Sequence, residues 1–183
     1  MNNNENIQIT KEQTLLKMLE KHEIVIPIIQ RDYAQGRTTE KPTEVRKGFV
    51  SNLISYLQAP EGEIHDLDFV YGTVVDNEFI PLDGQQRLTT ISLLLLAGIK
   101  AVKDGKLTVS NESRLSEARE VFLLAKYSTA DRKIKLVPIE NDMKAYDLIF
   151  EDEGTFIEDS KVTRNYRHFY DLLTKAPQQI SFD

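Results

Sequence analysis

The octapeptide DGQQRLTT, Asp83 to Thr90, gathers a carboxylate, two amides, a guanidinium and two hydroxyls around one glycine. It follows a short apolar run, Phe79 to Leu82, and leads into a strongly apolar stretch from Leu88 to Val102. Strand, glycine turn and helix in that order can hold a phosphate, because the first N–H groups of a helix are unpaired and carry partial positive charge. Gly84 permits a tight turn and lets a ligand approach the backbone. Arg87 adds a forked, permanent cation in the first helical turn, where it opposes the helix dipole unless an anion sits nearby. Asp83 can bind Mg²⁺, directly or through water, or orient an attacking water; its plain alternative is a helix-start residue that caps the turn. Gln85 and Gln86 can hold phosphate oxygens, position a water or read a base edge. Adjacent residues at a helix start face different ways, so one is expected to meet a ligand and the other to be structural. For Arg87 the alternative is a buried pairing with a carboxylate such as Asp83. For Thr89 and Thr90 that plain reading is preferred, since hydroxyls in a first turn usually satisfy backbone groups.

A second polar segment, Gln30 and Arg31, follows a β-branched run and would emerge at a strand end. Arg31 could add a second phosphate cation, Gln30 a base or ribose contact, and Tyr33 a stacking or packing ring. The competing reading of Arg31 is a weak surface pair with Asp32. Gly72, set among strand formers, signals a bulge or a close backbone approach, where a ligand could pass. Lys161, Arg164, Arg167 and Lys175 could touch DNA phosphates, but Tyr166, Phe169 and Tyr170 fall at core spacing. A solvated basic face over buried rings is the expected arrangement. His22, His65 and His168 are scattered, so no zinc site or Ser-His-Asp arrangement is indicated. There is no GxxxxGK[ST] loop, so nucleotide chemistry here is not of the P-loop kind.

The elements that must position these groups follow from periodicity. The spacing predicts helices from Thr10 to Glu23, Thr43 to Ala59, Gln86 to Lys103, Asn111 to Lys126, Asn141 to Glu151 and Ser160 to Lys175. Ile24 to Ile29 reads as a strand that Pro27 confines to an edge or an end. Leu67 to Val75 and Phe79 to Leu82 read as a hairpin turning at Asp76-Asn77, and Lys133 to Ile139 as a short extended segment. The helix from Gln86 is apolar on nearly every side and is expected to be central. The chain reads as one α/β (α+β) domain over residues 1–183, sheet-bearing to about Val109 and helical beyond, the two parts sharing a core.

A net charge of −6 argues against a general nucleic-acid coat protein without excluding a local basic groove. The 183 residues contain no cysteine, so disulfides, thiol nucleophiles and thiolate metal sites are excluded. The polar start MNNNENIQIT lacks a signal-peptide pattern, and no apolar run is long enough to span a bilayer. A soluble, cytoplasmic protein is expected.

IPIIQRDY (Ile26 to Tyr33), FVYGTVV (Phe69 to Val75) and PLDGQQRLTT (Pro81 to Thr90) resemble the three signatures of the N-terminal domain of GmrSD-type, modification-dependent restriction endonucleases. KIKLVPIENDMKAYDLIF and SKVTRNYRHFYDLL are similar to later parts of that family, so the resemblance covers most of the chain. It implies a small mixed sheet of ParB/sulfiredoxin-like type, flanking helices and a helical C-terminal part. It implies binding and hydrolysis of a nucleoside triphosphate with Mg²⁺ or another divalent cation, controlling a partner nuclease in defence against phage with modified DNA. Asp83, Gln85, Gln86 and Arg87 would be catalytic, with Asp83 at the metal. Gln30, Arg31, Tyr33, Gly72, Gly84, Thr89 and Thr90 would bind nucleotide. In relatives the cutting belongs to a separate His-Asn-His-type nuclease domain, and no such motif occurs before Asp183. The chain is therefore expected to be a fragment or a split subunit, compatible with a homo-oligomer. One departure is that Ala34, Gln35 and Gly36 follow Tyr33, where relatives often carry an aromatic residue two positions after the tyrosine. The alternatives are a nucleotide- or modified-DNA-sensing module without turnover and, more weakly, a ParB-like nuclease.

Overall fold

The computed structural model describes residues 22–27, 49, 52, 53, 55, 70–76, 78–109, 111–124, 134–152 and 154–175. The expected helices over Thr10 to Glu23 and Thr43 to Ala59 therefore lie wholly or mostly outside the described residues. Among the described residues, four strands form one mixed sheet: β1 (Glu23–Val25), β2 (Tyr71–Val75), β3 (Glu78–Asp83) and β4 (Leu136–Val137), in the order β2-β3-β1-β4. β2 and β3 are the expected hairpin, antiparallel, with Asp76 at a positive φ of 55° in the turn. β1 runs parallel to both β3 and β4.

Pro27 marks the end of β1 rather than an edge. The strand stops at Val25 and sits inside the sheet, because the proline that cannot donate to the ladder falls just past the paired residues. The Ile24 N–H bonds the Lys135 carbonyl at 2.8 Å and the Ile26 N–H bonds the Val137 carbonyl at 3.0 Å. The fourth strand thus comes from the later, mainly helical part of the chain, and the two parts share one core.

Helix α1 (Gln85–Lys103) is the central helix that its apolar sequence predicts. Leu88, Leu93, Leu94, Leu96, Ala97 and Ile99 on it are buried in one cluster with Ile24 and Phe79 of the sheet. Burying each such leucine stabilises the fold by about 1.5–3 kcal/mol. Helix α4 (Lys161–Lys175) packs along α1 and buries Val162, Tyr166, Phe169 and Leu173, an i, i+4, i+7, i+11 stripe. Helix α3 (Glu140–Glu151) packs on α4 and buries Ala145, Tyr146 and Ile149. The Tyr146 hydroxyl shares a buried hydrogen bond with Ser92 of α1.

The expected helix from Asn111 to Lys126 is shorter and changes pitch. Helix α2 (Glu112–Ala118) is capped by Asn111, whose side chain accepts the Ser113 N–H at 3.0 Å. A π-helical turn, Arg119–Leu123, follows, and Leu124 is extended and bridges Ile134. The cause is tertiary. The Lys135 ammonium, on a buried side chain, donates to the Val121 carbonyl, and the Lys135 N–H to the Leu123 carbonyl at 2.9 Å. Carbonyls that a continuing α-helix would use are taken by the approach to β4.

Candidate functional site

The hairpin brings two of the three sequence motifs together. Tyr71 pairs with Asp83 and Gly72 with Pro81, with a register irregularity at Tyr71/Gly72. Because β1 is parallel to β3, the chain also leaves β1 through Ile26 and Pro27 at the sheet edge where Asp83 ends β3. The carboxyl edge of parallel strands is where open α/β sheets place ligands. Gln30, Arg31 and Tyr33 lie outside the described residues.

Asp83 is exposed at the end of β3, and one of its carboxylate oxygens accepts the Gly84 N–H at 2.7 Å. Gly84 is buried and is the N-cap of α1 at φ 89°. A Cβ there would come within 2.8 Å of the Val70 side chain and 3.1 Å of its Cα. Glycine is thus required twice, for the left-handed backbone and for the space. Its carbonyl accepts the N–H groups of Arg87 at 3.0 Å and Leu88 at 3.1 Å. No side-chain cap hydrogen bond is made at this helix start and its first turn contains no acid; the Asp83 carboxylate, on the Gly84 N–H, stands just before it.

Gln85 and Gln86 are both buried, 6% and 7% exposed. They differ in their contacts. The Gln85 side-chain oxygen is buried with no hydrogen-bond partner among the described residues. Gln86 makes further contacts inside the protein and has no orphaned buried atom. Arg87 is half-buried and is engaged within the protein. The hydroxyls of Thr89 and Thr90 bond the carbonyls of Gln85 at 3.0 Å and Gln86 at 2.7 Å, the backbone role preferred from sequence.

Gly72 has a structural explanation. A Cβ on it would lie 2.4 Å from the Phe79 ring and 2.5 Å from the Ile80 carbonyl oxygen. The close approach expected there is to the neighbouring strand. Three of the four basic residues of α4 are engaged locally: Arg167 makes a two-pronged pair with Glu158 at 2.6 and 2.7 Å and covers the Phe156 ring, Arg164 donates to the Asp159 carbonyl, and Lys175 pairs with Asp171. Sequence reasoning passed over Asp142, a buried acid in the first turn of α3 just beyond β4. Its position after a short strand at the same sheet edge was the available signal; an Asp in a first helical turn ordinarily reads as a dipole partner.

The fold and site define a mixed α/β domain whose glycine turn opens a long buried helix at the carboxyl edge of its parallel strands. The family model for the GmrSD restriction endonuclease N-terminal domain matches residues 14–182, and the chain belongs to that family. Membership ties it to a restriction system and implies a nuclease as attached domain or partner. No curated protein matches the chain. Among the described residues, no helix is long and apolar enough to cross a membrane.

Proposed function

We propose that this domain binds a nucleoside triphosphate with a divalent cation at the start of α1 and hydrolyses it, thereby regulating a His-Asn-His-type nuclease that acts on modified DNA. The observation that carries this reading is the uncapped, acid-free start of α1 behind Gly84, with Asp83 exposed beside it. Helix N–H groups and Arg87 grip phosphate oxygens, and the positive φ of Gly84 brings the backbone close to them. The residues fit Mg²⁺, which keeps waters and phosphate oxygens as ligands and needs one or two carboxylates; Asp83 supplies one. When bound, the cation would neutralise charge developing on the transferred phosphoryl group. Arg87 stabilises the same charge from the helix side.

Phosphate release from NTPs and Mg²⁺ by the purified chain tests this. Wild-type protein is expected to turn over and Arg87→Ala to lose about 10²-fold or more. Unchanged turnover in the variant removes Arg87 from the mechanism. Calorimetric binding with no phosphate release would instead support a nucleotide sensor.

A further inference from the structure

We infer that the two adjacent glutamines divide their work: Gln85 holds the attacking water, and Gln86 holds the fold. The inference rests on the hydrolytic reading above and deepens it.

Gln85 is the first residue of a 19-residue helix. Helical side chains lean toward the N-terminus, so Gln85 projects over the end where Gly84 turns. The residue is 6% exposed and its buried amide oxygen has no partner among the described residues. An acceptor left so costs about 1–3 kcal/mol, and such groups persist at sites that a ligand completes. An oxygen accepts hydrogen bonds and repels phosphate oxygens, so the missing group is a donor. Beside a phosphate grip, that donor is a water molecule. Gln86, buried to the same degree, is engaged by the protein itself.

In the step this arrangement serves, the water donates one hydrogen bond to the Gln85 oxygen, which aims its lone pair at the terminal phosphorus. The water oxygen forms the new P–O bond. The bond from phosphorus to the bridging oxygen breaks, and the nucleoside diphosphate leaves with that electron pair. The water proton passes to the released phosphate. Gln85 orients the water and takes no proton.

The test compares Gln85→Met, Gln86→Met and Gln85→Glu in the whole chain. Three readouts are needed: urea midpoint, affinity for a non-hydrolysable NTP with Mg²⁺, and phosphate release. Gln85→Met removes an orphaned acceptor and is expected to unfold at the wild-type urea concentration or higher. It should bind the analogue within a few-fold of wild type and release phosphate about 10²-fold more slowly. Gln86→Met should unfold at lower urea. Gln85→Glu keeps an oxygen acceptor; at saturating nucleotide it should recover turnover over Gln85→Met, rising with pH as the new carboxyl ionises.

Wild-type turnover in Gln85→Met overturns the water-holding role while the hydrolytic reading stands. Loss of analogue binding in the uncharged Gln85→Met also overturns it, since that marks a contact through the amide N–H to phosphate. A lowered urea midpoint for Gln85→Met, matching Gln86→Met, overturns the division of labour. If wild-type protein releases no phosphate, the hydrolytic reading and the water-holding role fall together, and the urea comparison still decides whether position 85 carries an orphaned group.

Discussion

Tyr170 of α4 donates its phenolic hydrogen bond to the carboxylate of Asp104, just past the end of α1, at 2.7 Å. Lys100 pairs with the same carboxylate at 2.7 Å and reaches Asp152 at 3.5 Å, where Lys103 also arrives at 3.6 Å. The far end of α1 is thus fastened to α4 and to the residue after α3 by a small charged network.

That network sets a pH dependence. The Lys100 ammonium first, and the Tyr170 hydroxyl second, hold the Asp104 carboxyl below its ordinary value of 3.8. A depressed folded-state value means that Asp104 stabilises the fold above about pH 4 and that this contribution fades as pH falls through the depressed value. Thermal melts from neutral pH to about pH 2.5 should therefore fall less steeply below pH 4 for Asp104→Asn than for wild type. The pairs are solvent-exposed, so the difference is expected to be small. Parallel acid limbs would remove Asp104 from the network's titration. The Tyr170 hydroxyl is raised in turn by its bond to Asp104. Its contribution is present below a pH of about 10 and lost as pH rises through the raised value.

Replacing Gly84 by alanine should lower stability by about 1–3 kcal/mol, through left-handed strain and overpacking. The new Cβ meets the Val70 side chain at 2.8 Å and its backbone at 3.1 Å. Trimming the partner in Val70→Ala should recover only the side-chain part, because the crowding against the Val70 backbone and the φ of 89° remain. Urea midpoints of the single and double variants check this, and full recovery in the double variant contradicts it.

At Gly72 the obstruction is different. Alanine there strikes the Phe79 ring at 2.4 Å and the Ile80 carbonyl at 2.5 Å. A loss of about 1–3 kcal/mol is expected, and Phe79→Leu should not restore it, since the backbone carbonyl cannot retreat without opening the hairpin. Proteolysis within 70–83 is the sensitive measurement, and Gly72→Ala should be cut faster than wild type.

Ser92 and Tyr146 tie α1 to α3 through one buried hydrogen bond. Removing either hydroxyl alone leaves its partner short of a contact, at a cost of about 1–3 kcal/mol. A double-mutant cycle with Ser92→Ala and Tyr146→Phe should show the pair costing less than the sum of the singles. Strict additivity would mean that the two hydroxyls are energetically independent.

Much of this was legible in the residues. The span of α1 followed from the strongly apolar stretch Leu88 to Val102, closed by Asp104-Gly105, and the hairpin from runs of strand formers about a polar turn. The roles of Thr89 and Thr90 followed from local geometry, a hydroxyl four residues beyond a helical carbonyl. What was not legible depended on distant partners. The π-helical turn at Arg119–Leu123 is stabilised by Lys135, which periodicity at 111–126 cannot reveal. The place of β1 inside the sheet reflects pairing on both sides by strands far along the chain. Gln85 and Gln86 look alike as letters, and only the packed structure shows an orphaned buried oxygen on Gln85 and none on Gln86.

The strand order also imposes a schedule on folding. β1 leaves the ribosome before both strands that it pairs with: its hydrogen bonds run to β3 and to the backbone around β4. The last of these partners, Leu136 and Val137, are made roughly a hundred residues later, so these pairings close long loops and form slowly. The hairpin and α1 are contiguous and can assemble while β1 waits. Ile24, at the centre of the finished sheet, is thus a late arrival, and a nascent chain halted before residue 136 exposes the seam that β1 and β4 would close.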